Sequence, residues 1–376
     1  MYELTDNADF RPTADWEHLR FRAAMLRRLR EFFDSRGFLE IETPILSADT
    51  VVDRHLDPFY TEMSGQWSVG SGQNEAASGG CPIPNPQSPV PRLWLQTSPE
   101  FAMKRLLAAG AGRIYQVARV FRLDELGPLH NPEFTLVEWY QPGEGLDEGM
   151  QLTSDLCEAM LSIRHTPCAD CSKNEVNHRT VGTRRVPDTL AAERISYAEL
   201  FDRVVGIDPH NADGRQLAAI AKKLGVESPA SLSLEDRDGW LDLLMIERIQ
   251  PHLGQARPTL LYDYPASQAA LARIRHDEGK PPVAERFELY IAGVEIANGY
   301  HELLDPAELR ARNARVNAQR RADGKPPLPE ESRLLAAMES GLPPSVGVAL
   351  GFDRLLMAAL GAKTIAEVMA FPFDRA

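Results

Sequence analysis

The sequence predicts an α+β domain in which an antiparallel β-sheet is flanked by helices. Strand-like runs come in adjacent pairs joined by short turns, at 114–140 and 286–304, and helical segments occur between them without a regular βαβ order. The chain has 376 residues, of which 43% are hydrophobic, and this is enough to build one large core. We therefore expect a single domain over residues 1–376 rather than a doubly wound sheet.

Composition and charge narrow the classes of function. The net charge of −13 lowers the expectation of an extended tRNA-binding surface, although a few focused arginines can still hold a small anion. No apolar run reaches the roughly 18 residues of a membrane span, and the N-terminus lacks the pattern of a signal peptide. Four cysteines are too few for a disulfide scaffold, so we expect a cytoplasmic protein.

The N-terminal part of the chain predicts a helix followed by a strand. Apolar residues recur at three- and four-residue spacing over 14–36, with Thr13 as a candidate N-cap and Gly37 just past the C-terminal end. A short strand-like run follows directly and ends at Pro44.

A second strand and helix are predicted around residue 98. Leu93–Gln96 is strand-like, and Ser98 is a candidate cap for a helix that has Pro99 and Glu100 in its first turn. Taken alone, Glu100 would be interpreted only as a partner of the helix dipole.

Two polar segments interrupt the pattern, at about 64–92 and 164–190. Neither has a hydrophobic period, and we interpret both as insertions, the first within a hairpin. The second contains a possible zinc ligand set, and the alternative is a surface insertion with incidental thiols. The candidate ligands are His165, Cys168, Cys171 and His178.

The rest of the chain predicts further helices and strands. They are a mainly helical region at 196–250, two strands within 286–304, an exposed helix at 306–322, a helix at 329–340, and a strand that runs into a helix over 345–361.

The first predicted hairpin carries a candidate catalytic residue. Arg122 directly follows one strand-like run, and a short polar loop with Asn131 separates it from a second run that carries Glu138 and Tyr140. A planar, permanently charged guanidinium suits the negative charge that develops when a carboxylate is activated with ATP. The hairpin therefore predicts a nucleotide site.

The second predicted hairpin is acidic. If its turn lies at Ala292–Gly293, Tyr290 pairs with Glu295, and Glu288 lies on the same face because side chains alternate along a strand. The Cβ atoms of the two glutamates are then roughly 7 Å apart, so that one Mg²⁺ could lie between the carboxylate groups and bind phosphate oxygens. The alternative is a solvated acidic strand face.

Acidic and aromatic residues from several segments could share one pocket. Glu302 lies just beyond the acidic hairpin, and together with Glu100, Glu138 and Tyr140 it would form a negatively charged, partly aromatic site. An amino acid with a side-chain amine needs at least two carboxylates, one for each ammonium group.

The C-terminal strand and helix carry a second candidate arginine. Gly351 allows close approach of a nucleotide to the backbone, and Arg354 opens the following helix, where it would face a γ-phosphate. Taken alone this pattern is weak, since Asp353 could simply cap the helix. With Arg122 it provides a second guanidinium that could contact the same anion.

Together these segments resemble the class II aminoacyl-tRNA synthetases, most closely the lysyl type. The N-terminal helix and strand resemble motif 1, Phe121–Tyr140 resembles motif 2, and the C-terminal strand and helix resemble motif 3. Lysyl-tRNA synthetases place an anticodon-binding OB domain before motif 1, and we expect none here because motif 1 starts near residue 14. A core of this kind resembles the elongation factor P–lysine ligase family, as do the segments YDYPASQAAL and AEVMAFPFDRA.

The resemblance implies a ligase that depends on ATP and Mg²⁺. Members of that family activate (R)-β-lysine as an adenylate and transfer it to a lysine of elongation factor P. The resemblance therefore implies elongation factor P as a partner, β-lysine or lysine as a substrate, and a homodimer built on motif 1. It argues against tRNA as a partner.

The resemblance also implies roles for individual residues. Arg122 and Arg354 would be catalytic. The ATP contacts would come from Arg122, Leu123, Asp124, Asn131, Glu295, Ile296, Gly351 and Arg354. The substrate contacts would come from Ser98, Pro99, Glu100, Tyr140 and Glu302. Mg²⁺ would be held by Glu288 and Glu295.

Two departures from the family pattern bear on the details. The family commonly has Asn-Glu after the motif 2 arginine, and this chain has Leu123-Asp124, so Glu125 could replace Asp124 at the adenine. Lysyl-tRNA synthetases usually have Gly-x-Gly before the terminal Asp-Arg, and here the first glycine is Ala349. An added methyl would fit a shifted amino group, with a discrimination of ~1–3 kcal/mol.

Several alternatives stay open on the sequence alone. The substrate could be lysine instead of β-lysine, and the chain could be a truncated lysyl-tRNA synthetase paralogue that acylates tRNA or another carrier. A non-enzymatic regulator is disfavoured because both arginines and both glutamates are present. No residue is identified as the general base for acyl transfer.

Overall fold

The computed structural model describes residues 10–62, 92–162 and 191–376. Within these ranges the helices are α1 (Trp16–Asp34), α2 (Glu100–Ala108), α3 (Leu146–Leu161), α4 (Tyr197–Val205), α5 (Gly214–Lys223), α6 (Arg237–Leu244), α7 (Pro306–Ala322), α8 (Arg333–Gly341) and α9 (Phe352–Leu360). The strands are β1 (Leu39–Glu40), β2 (Leu46–Ser47), β3 (Tyr60–Glu62), β4 (Arg92–Leu95), β5 (Ile114–Phe121), β6 (Glu133–Pro142), β7 (Glu193–Ser196), β8 (Thr259–Pro265), β9 (Ile274–Arg275), β10 (Val283–Ile291), β11 (Val294–His301) and β12 (Ser345–Gly351).

A large mixed β-sheet forms the centre of the fold. Its strand order is β1-β5-β6-β12-β11-β10-β8-β7, and β9 pairs with β10 beside this path. The neighbours are antiparallel through the middle, whereas β1 pairs with β5 and β7 pairs with β8 in parallel at the two ends. The predicted α+β class and its antiparallel sheet are confirmed, with parallel pairs added at the edges.

Helices cover the two faces of the sheet unevenly. On one face α1, α3 and α9 pack in a continuous apolar core that includes Phe33, Trp139, Leu156, Leu289 and Phe352. On the other face α4, α5 and α6 pack only against the β8 and β10 end. Since α2 and α8 pack near β5 and β6, the middle of this second face is left open for a cavity.

The acidic hairpin formed by β10 and β11 has the predicted turn and the predicted pairing next to it. Ala292 and Gly293 have φ of 50° and 76°, as a two-residue type I′ turn requires, and Tyr290 pairs with Glu295. One residue further on the register shifts, so that Leu289 pairs with Ala297 and an extra residue lies on β11.

The strands on either side of the first predicted polar segment lie within the described residues. Its flanking strands, β3 and β4, pair antiparallel, with Tyr60 opposite Trp94 and Glu62 opposite Arg92. This pairing agrees with an insertion within a hairpin. The second polar segment and its candidate zinc ligands (His165, Cys168, Cys171 and His178) lie outside the described residues.

Two details at the N-terminus differ from the sequence prediction. The N-cap of α1 is Asp15, whose carboxylate accepts a hydrogen bond from the His18 amide at 2.7 Å. Thr13 does not cap the helix, and its amide donates to the carbonyl of Ala370. The strand expected before Pro44 is limited to the two residues of β1, which pair with Ile114 and Tyr115 of β5.

Helix α7 has the predicted bounds, but the expectation of an exposed helix is wrong for one face. Arg320 is 1% exposed and donates to the carbonyls of Asp53 and Leu56 and to the Asp57 carboxylate. Arg312 is also buried and donates to backbone carbonyls. Arginine stems can cover apolar surface while the guanidinium satisfies carbonyls, which a count of charges along the helix does not reveal.

Candidate active site

A cavity of about 330 Å³ lies on the open face of the sheet. Strands β6, β11 and β12 form its floor, and α2, α7, the loop after β5 and the start of α9 form its walls. This is a typical volume for a small-molecule site. The cavity has two parts. We call them the arginine half (Arg122, His130, Phe134, Glu295 and Arg354) and the carboxylate half (Glu100, Glu138, Tyr140 and Glu302, together with Lys104, which pairs with Glu100 and Glu302).

Arg122 lies in the arginine half, where its guanidinium makes only long contacts. It is 3.4 Å from the Thr97 carbonyl and 3.3 Å from Oε1 of Glu125, and it lies over the Phe134 ring with 5.0 Å to the centroid. About a quarter of its side chain is exposed to the cavity and solvent. The charge is therefore held in place and can still contact an anion.

Arg354 reaches the same part of the cavity from the first turn of α9. Its guanidinium donates to the Glu295 carbonyl at 3.2 Å, and Nη2 lies 2.5 Å from Nε2 of His130. Because a guanidinium only donates, Nε2 of His130 must accept, and the ring is neutral in this contact. Burial and the nearby arginines lower the pKa of His130, which favours the same state.

Asp353 has a different role from the helix cap considered for it. It lies inside α9, where its carboxylate accepts a 2.6 Å hydrogen bond from the Thr135 amide and pairs with Arg22 of α1. Gly351 is the N-cap residue, without a side-chain hydrogen bond. The buried carboxylate of Asp353 thus connects α1 and β6 to α9, the helix that carries Arg354.

Space is available beside Gly351. A Cβ built on this glycine would meet its nearest protein atom, on Arg354, at 3.7 Å, which is an ordinary contact. The backbone φ of −72° does not require glycine either. The protein itself would accept a side chain here, so the open backbone leaves room for a ligand.

The loop after β5 presents Glu125 to the cavity. Asp124 has φ of 65° and is exposed, whereas Glu125 lines the cavity beside Arg122. Leu123 is held through its backbone, since its amide donates to the Asp57 carbonyl at 2.8 Å. Of the two candidates for the adenine contact, the position of Glu125 is the more favourable.

Asn131 lines the cavity, but its amide serves the fold. Nδ2 donates to the Glu133 carbonyl at 2.6 Å, and Oδ1 accepts from the Phe373 amide at 2.9 Å. The side chain thereby fixes the C-terminal segment against the loop. A direct contact to ATP stays a prediction for this residue.

Glu288 and Glu295 lie close enough to interact. Glu295 lines the cavity, and burial followed by the charge of Glu288 raises its pKa to about 7. Glu288 lies deeper, where Arg286 and the Tyr290 hydroxyl donate to it. A cation would offset the electrostatic repulsion between two neighbouring buried carboxylates. Ile296 has its side chain in the core, so only its backbone can face the cavity.

Within the described ranges no group of three or more His, Cys, Asp and Glu side chains is arranged to hold a metal ion. A pair of carboxylates is nevertheless a suitable protein contribution to an Mg²⁺ site, because this ion usually completes its shell with substrate phosphates and water. The residues present therefore fit Mg²⁺ better than a metal that needs an all-protein cage.

The carboxylate half brings together the four predicted residues, Glu138 and Tyr140 from β6, Glu100 from α2 and Glu302 from the segment after β11. Glu138 accepts hydrogen bonds from the Ser98 hydroxyl at 2.6 Å and from the Tyr140 hydroxyl at 2.7 Å. Glu302 and Glu100 line the same part of the cavity. The predicted acidic, partly aromatic pocket therefore exists in the structure.

The start of α2 differs slightly from the prediction. The helix begins at Glu100 with Pro99 at the N-cap position, where no side-chain cap is formed. Ser98 still accepts a 3.1 Å hydrogen bond from the Glu100 amide, but its hydroxyl proton goes to Glu138. Ser98 thus joins the helix start to the pocket instead of acting as a simple cap.

Sequence reasoning missed Lys104, which lies in the carboxylate half. Its ammonium contacts Oε1 of Glu100 at 2.5 Å and also pairs with Glu302. The spacing of four residues from Glu100 on a predicted helix was a signal that could have revealed the first of these contacts. Nothing local could have revealed the contact with Glu302.

Burial dominates the electrostatics of this half. It raises the pKa of Glu138 to about 7 and that of Glu302 to about 8. Burial also lowers the pKa of Lys104, but Glu100 and Glu302 outweigh this effect and the net pKa is raised, so the ammonium stays charged. The empty pocket therefore combines one fixed cation with carboxylates that retain protons near neutral pH.

Strand β12 closes the carboxylate half through two small residues. A Cβ on Gly347 would overlap Oε1 of Glu302 and the Tyr140 ring, so only glycine fits there. Ala349 also lines the cavity, opposite Glu138 on one neighbouring strand and Asn298 on the other. Its methyl group therefore lies where a substrate would meet the floor.

Comparison with known proteins agrees with this geometry. The family model described as tRNA synthetases class II (D, K and N) matches residues 7–375. The chain therefore belongs to the class II tRNA synthetase family, and the predicted fold and resemblance are confirmed.

Curated relatives narrow the comparison. Two proteins named elongation factor P–(R)-β-lysine ligase, from Enterobacter sp. (strain 638) and Klebsiella pneumoniae (strain 342), are each 42% identical to this chain over 373 residues. The alignments cover 99% of this chain and 100% of each relative.

The described helices include none that is both long and apolar enough for a transmembrane segment.

Proposed function

We propose that this protein is an ATP-dependent ligase that activates (R)-β-lysine and transfers it to a lysine side chain of elongation factor P. The observation that carries the proposal is that Arg122 and Arg354 line the same cavity as the buried carboxylates of Glu100, Glu138 and Glu302. The full-length similarity to proteins named for this activity supports it.

In the first step, a carboxylate oxygen of β-lysine attacks the α-phosphorus of ATP. A bond forms between this oxygen and the α-phosphorus. The bond between the α-phosphorus and the oxygen that it shares with the β-phosphate breaks, and pyrophosphate leaves. Arg122 and Arg354 are placed to neutralise charge on the phosphates, since both guanidiniums line the cavity. Arg122 makes only long contacts, and the short contact of Arg354 is to the neutral ring of His130. No protein nucleophile is needed, because positioning and charge neutralisation carry the step.

The rest of the arginine half would hold the nucleotide. Glu125 is the residue we assign to the adenine, and Phe134 offers a ring face beside Arg122. Glu288 and Glu295 would hold Mg²⁺, which when bound would neutralise phosphate charge.

The carboxylate half would hold the two ammonium groups of the substrate. Glu100, Glu138 and Glu302 supply the negative charge, and the Tyr140 hydroxyl fixes the orientation of Glu138. Buried carboxylates reject an apolar side chain strongly, because they would be left without a partner.

In the second step, the ε-amine of the acceptor lysine attacks the carbonyl carbon of the adenylate. The new carbon–nitrogen bond forms, AMP leaves with the oxygen that joined it to the acyl group, and the amine nitrogen loses a proton.

We also propose a homodimer built on the first helix and strand, where Trp16, Leu39 and Leu46 are exposed.

Two assays test the proposal. Exchange of labelled pyrophosphate into ATP should depend on β-lysine, with lysine and norleucine as comparisons. Acylation with elongation factor P and tRNA offered side by side should label only the protein. Labelled tRNA, or the absence of exchange with any diamino acid, would contradict the proposal.

A further inference from the structure

The ammonium group of Lys104 is a built-in cation within the carboxylate half. The side chain is 3% exposed and lies between Glu100 of its own helix and Glu302 of the segment after β11. Glu302 is 1% exposed, so this ion pair is removed from solvent. A buried ion pair without a function could be replaced as a whole by well-packed apolar residues at little cost, whereas loss of the lysine alone would leave buried carboxylates without a partner.

The charged groups around Lys104 can be counted. Glu100 faces it from α2 and Glu302 faces it from the end of β11, while Glu138 and Tyr140 approach from β6. Tyr300 on β11 is a further titratable neighbour of Glu100. With the tyrosines neutral, and after the substrate has displaced the protons from the carboxylates, three ionised carboxylates and one ammonium leave a charge of −2, which matches a substrate with two ammonium groups.

Packing prevents the pocket from adjusting this charge by rearrangement. The backbone at Gly347 closes directly on Glu302 and Tyr140, and Glu138 is already held by two hydroxyl donors. Helix α8 packs on α2, and Lys104 is itself buried. The number of cations that the pocket accepts is therefore fixed by its own residues.

We propose that Lys104 is a positioning residue that sets the charge of the carboxylate half, so that this half selects amino acids with two ammonium groups. The inference rests on the proposed function and concerns how the same site chooses its substrate class. Lys104 cancels one carboxylate, and the remaining two are each available to one substrate ammonium.

Removal of the lysine charge has a predictable consequence. Without Lys104 the three carboxylates repel one another more strongly and bind more protons at neutral pH. The substrate must then displace these protons, so its affinity falls at neutral pH and recovers as the pH rises. A residue that only filled space would change activity by a similar factor at every pH.

The experiment compares the variants Lys104→Met and Lys222→Met in pyrophosphate exchange between pH 6.5 and 8.5. Lys222 is exposed on α5, so its substitution removes the same charge far from the pocket and serves as the control. For Lys104→Met we expect the KM for β-lysine to rise about tenfold or more at neutral pH and to approach the wild-type value at pH 8.5. The KM for ATP should stay unchanged, and Lys222→Met should behave like wild type.

A double variant tests the charge count itself. Lys104→Met with Glu100→Gln restores the charge of −2, so it should recover most of the lost affinity for β-lysine. An unchanged KM, a loss that is the same at every pH, or a double variant no better than Lys104→Met would overturn the inference.

One measurement uses the unmodified protein and stays decisive if the variants do not fold. Calorimetry of β-lysine binding at neutral pH, in two buffers of different ionisation enthalpy, should reveal proton release. Binding without proton release would overturn the inference. If the wild-type protein exchanges pyrophosphate with no diamino acid, the proposed function fails. If it does exchange but Lys104→Met matches it, only this inference fails.

Discussion

The arginine half and the carboxylate half of the cavity hold their charges in opposite ways. Arg122 is partly exposed and makes contacts of 3.3–3.4 Å that a phosphate could replace at little cost. Glu138 and Lys104 are buried, with partners at 2.5–2.7 Å. One half is open to a ligand that brings its own charge, and the other is organised before the ligand arrives.

This difference agrees with the ligand that we propose for each half. A triphosphate carries several charges and makes many strong contacts, so two available guanidiniums suffice to attract it. A small amino acid has few atoms that can contact the protein. Selectivity must then come from buried polar groups of the site, because leaving such groups without a partner is costly in free energy. The comparison predicts that variants in the two halves affect different kinetic constants.

The largest effect is expected from Arg354→Ala. The guanidinium is one of two placed for the phosphates, so we expect pyrophosphate exchange to fall about 10³-fold. Binding of β-lysine measured by calorimetry should change little, because the carboxylate half is intact. Arg215→Ala, on an exposed surface pair, is the control. Loss of β-lysine binding in Arg354→Ala would break the division into halves.

A smaller effect is expected from Glu302→Gln in the carboxylate half. One ammonium group loses its charged partner and Lys104 loses half of its pairing, at a cost of about 2–3 kcal/mol. This should lower kcat/KM for β-lysine about 10²-fold, while the KM for ATP stays within about twofold. Steady-state exchange at varied ATP and β-lysine checks the prediction. A comparable change in both constants would contradict it.

The ligand-free protein should become less stable as the pH rises from about 5 to 8. Burial raises the pKa values of Glu138 and Glu302 above 4.5 in the folded state, so folding favours their protonated forms. This contribution is fully present below the unfolded pKa and is lost as the pH rises through the folded values. Urea unfolding at several pH values, with and without β-lysine, measures it, and the substrate should protect more at pH 8. In Glu138→Gln the pH dependence should be reduced.

The smallest effect is expected from Ala349→Gly. The methyl group on the floor of the cavity lies opposite Glu138, and its removal should improve activation of lysine relative to β-lysine. The expected change in the ratio of kcat/KM is about tenfold, the lower end of what one methylene provides. Competition between the two amino acids in pyrophosphate exchange measures this ratio. An unchanged ratio would show that the substrate does not contact this methyl.

Much of the site could be predicted because the relevant signals are local. The turn at Ala292–Gly293 and the pairing of Tyr290 with Glu295 followed from strand alternation and turn chemistry. Arg122 and Arg354 stood out because each lies where a regular element meets a loop or helix start. Lys104 and His130 were missed because their roles depend on partners that are distant in the sequence.

The sequence by itself determined the fold class, the order of the elements and the residue types that a nucleotide and a diamino acid require. Periodicity and turn preference act over a few residues, so they can be recognised without knowing the rest of the chain. Only the tertiary structure decided which charges are buried together, as with Lys104 beside Glu302 and Arg320 beneath Asp57. The reason is that desolvation and ion pairing depend on distance in space, and that distance is set by the packing of the whole sheet.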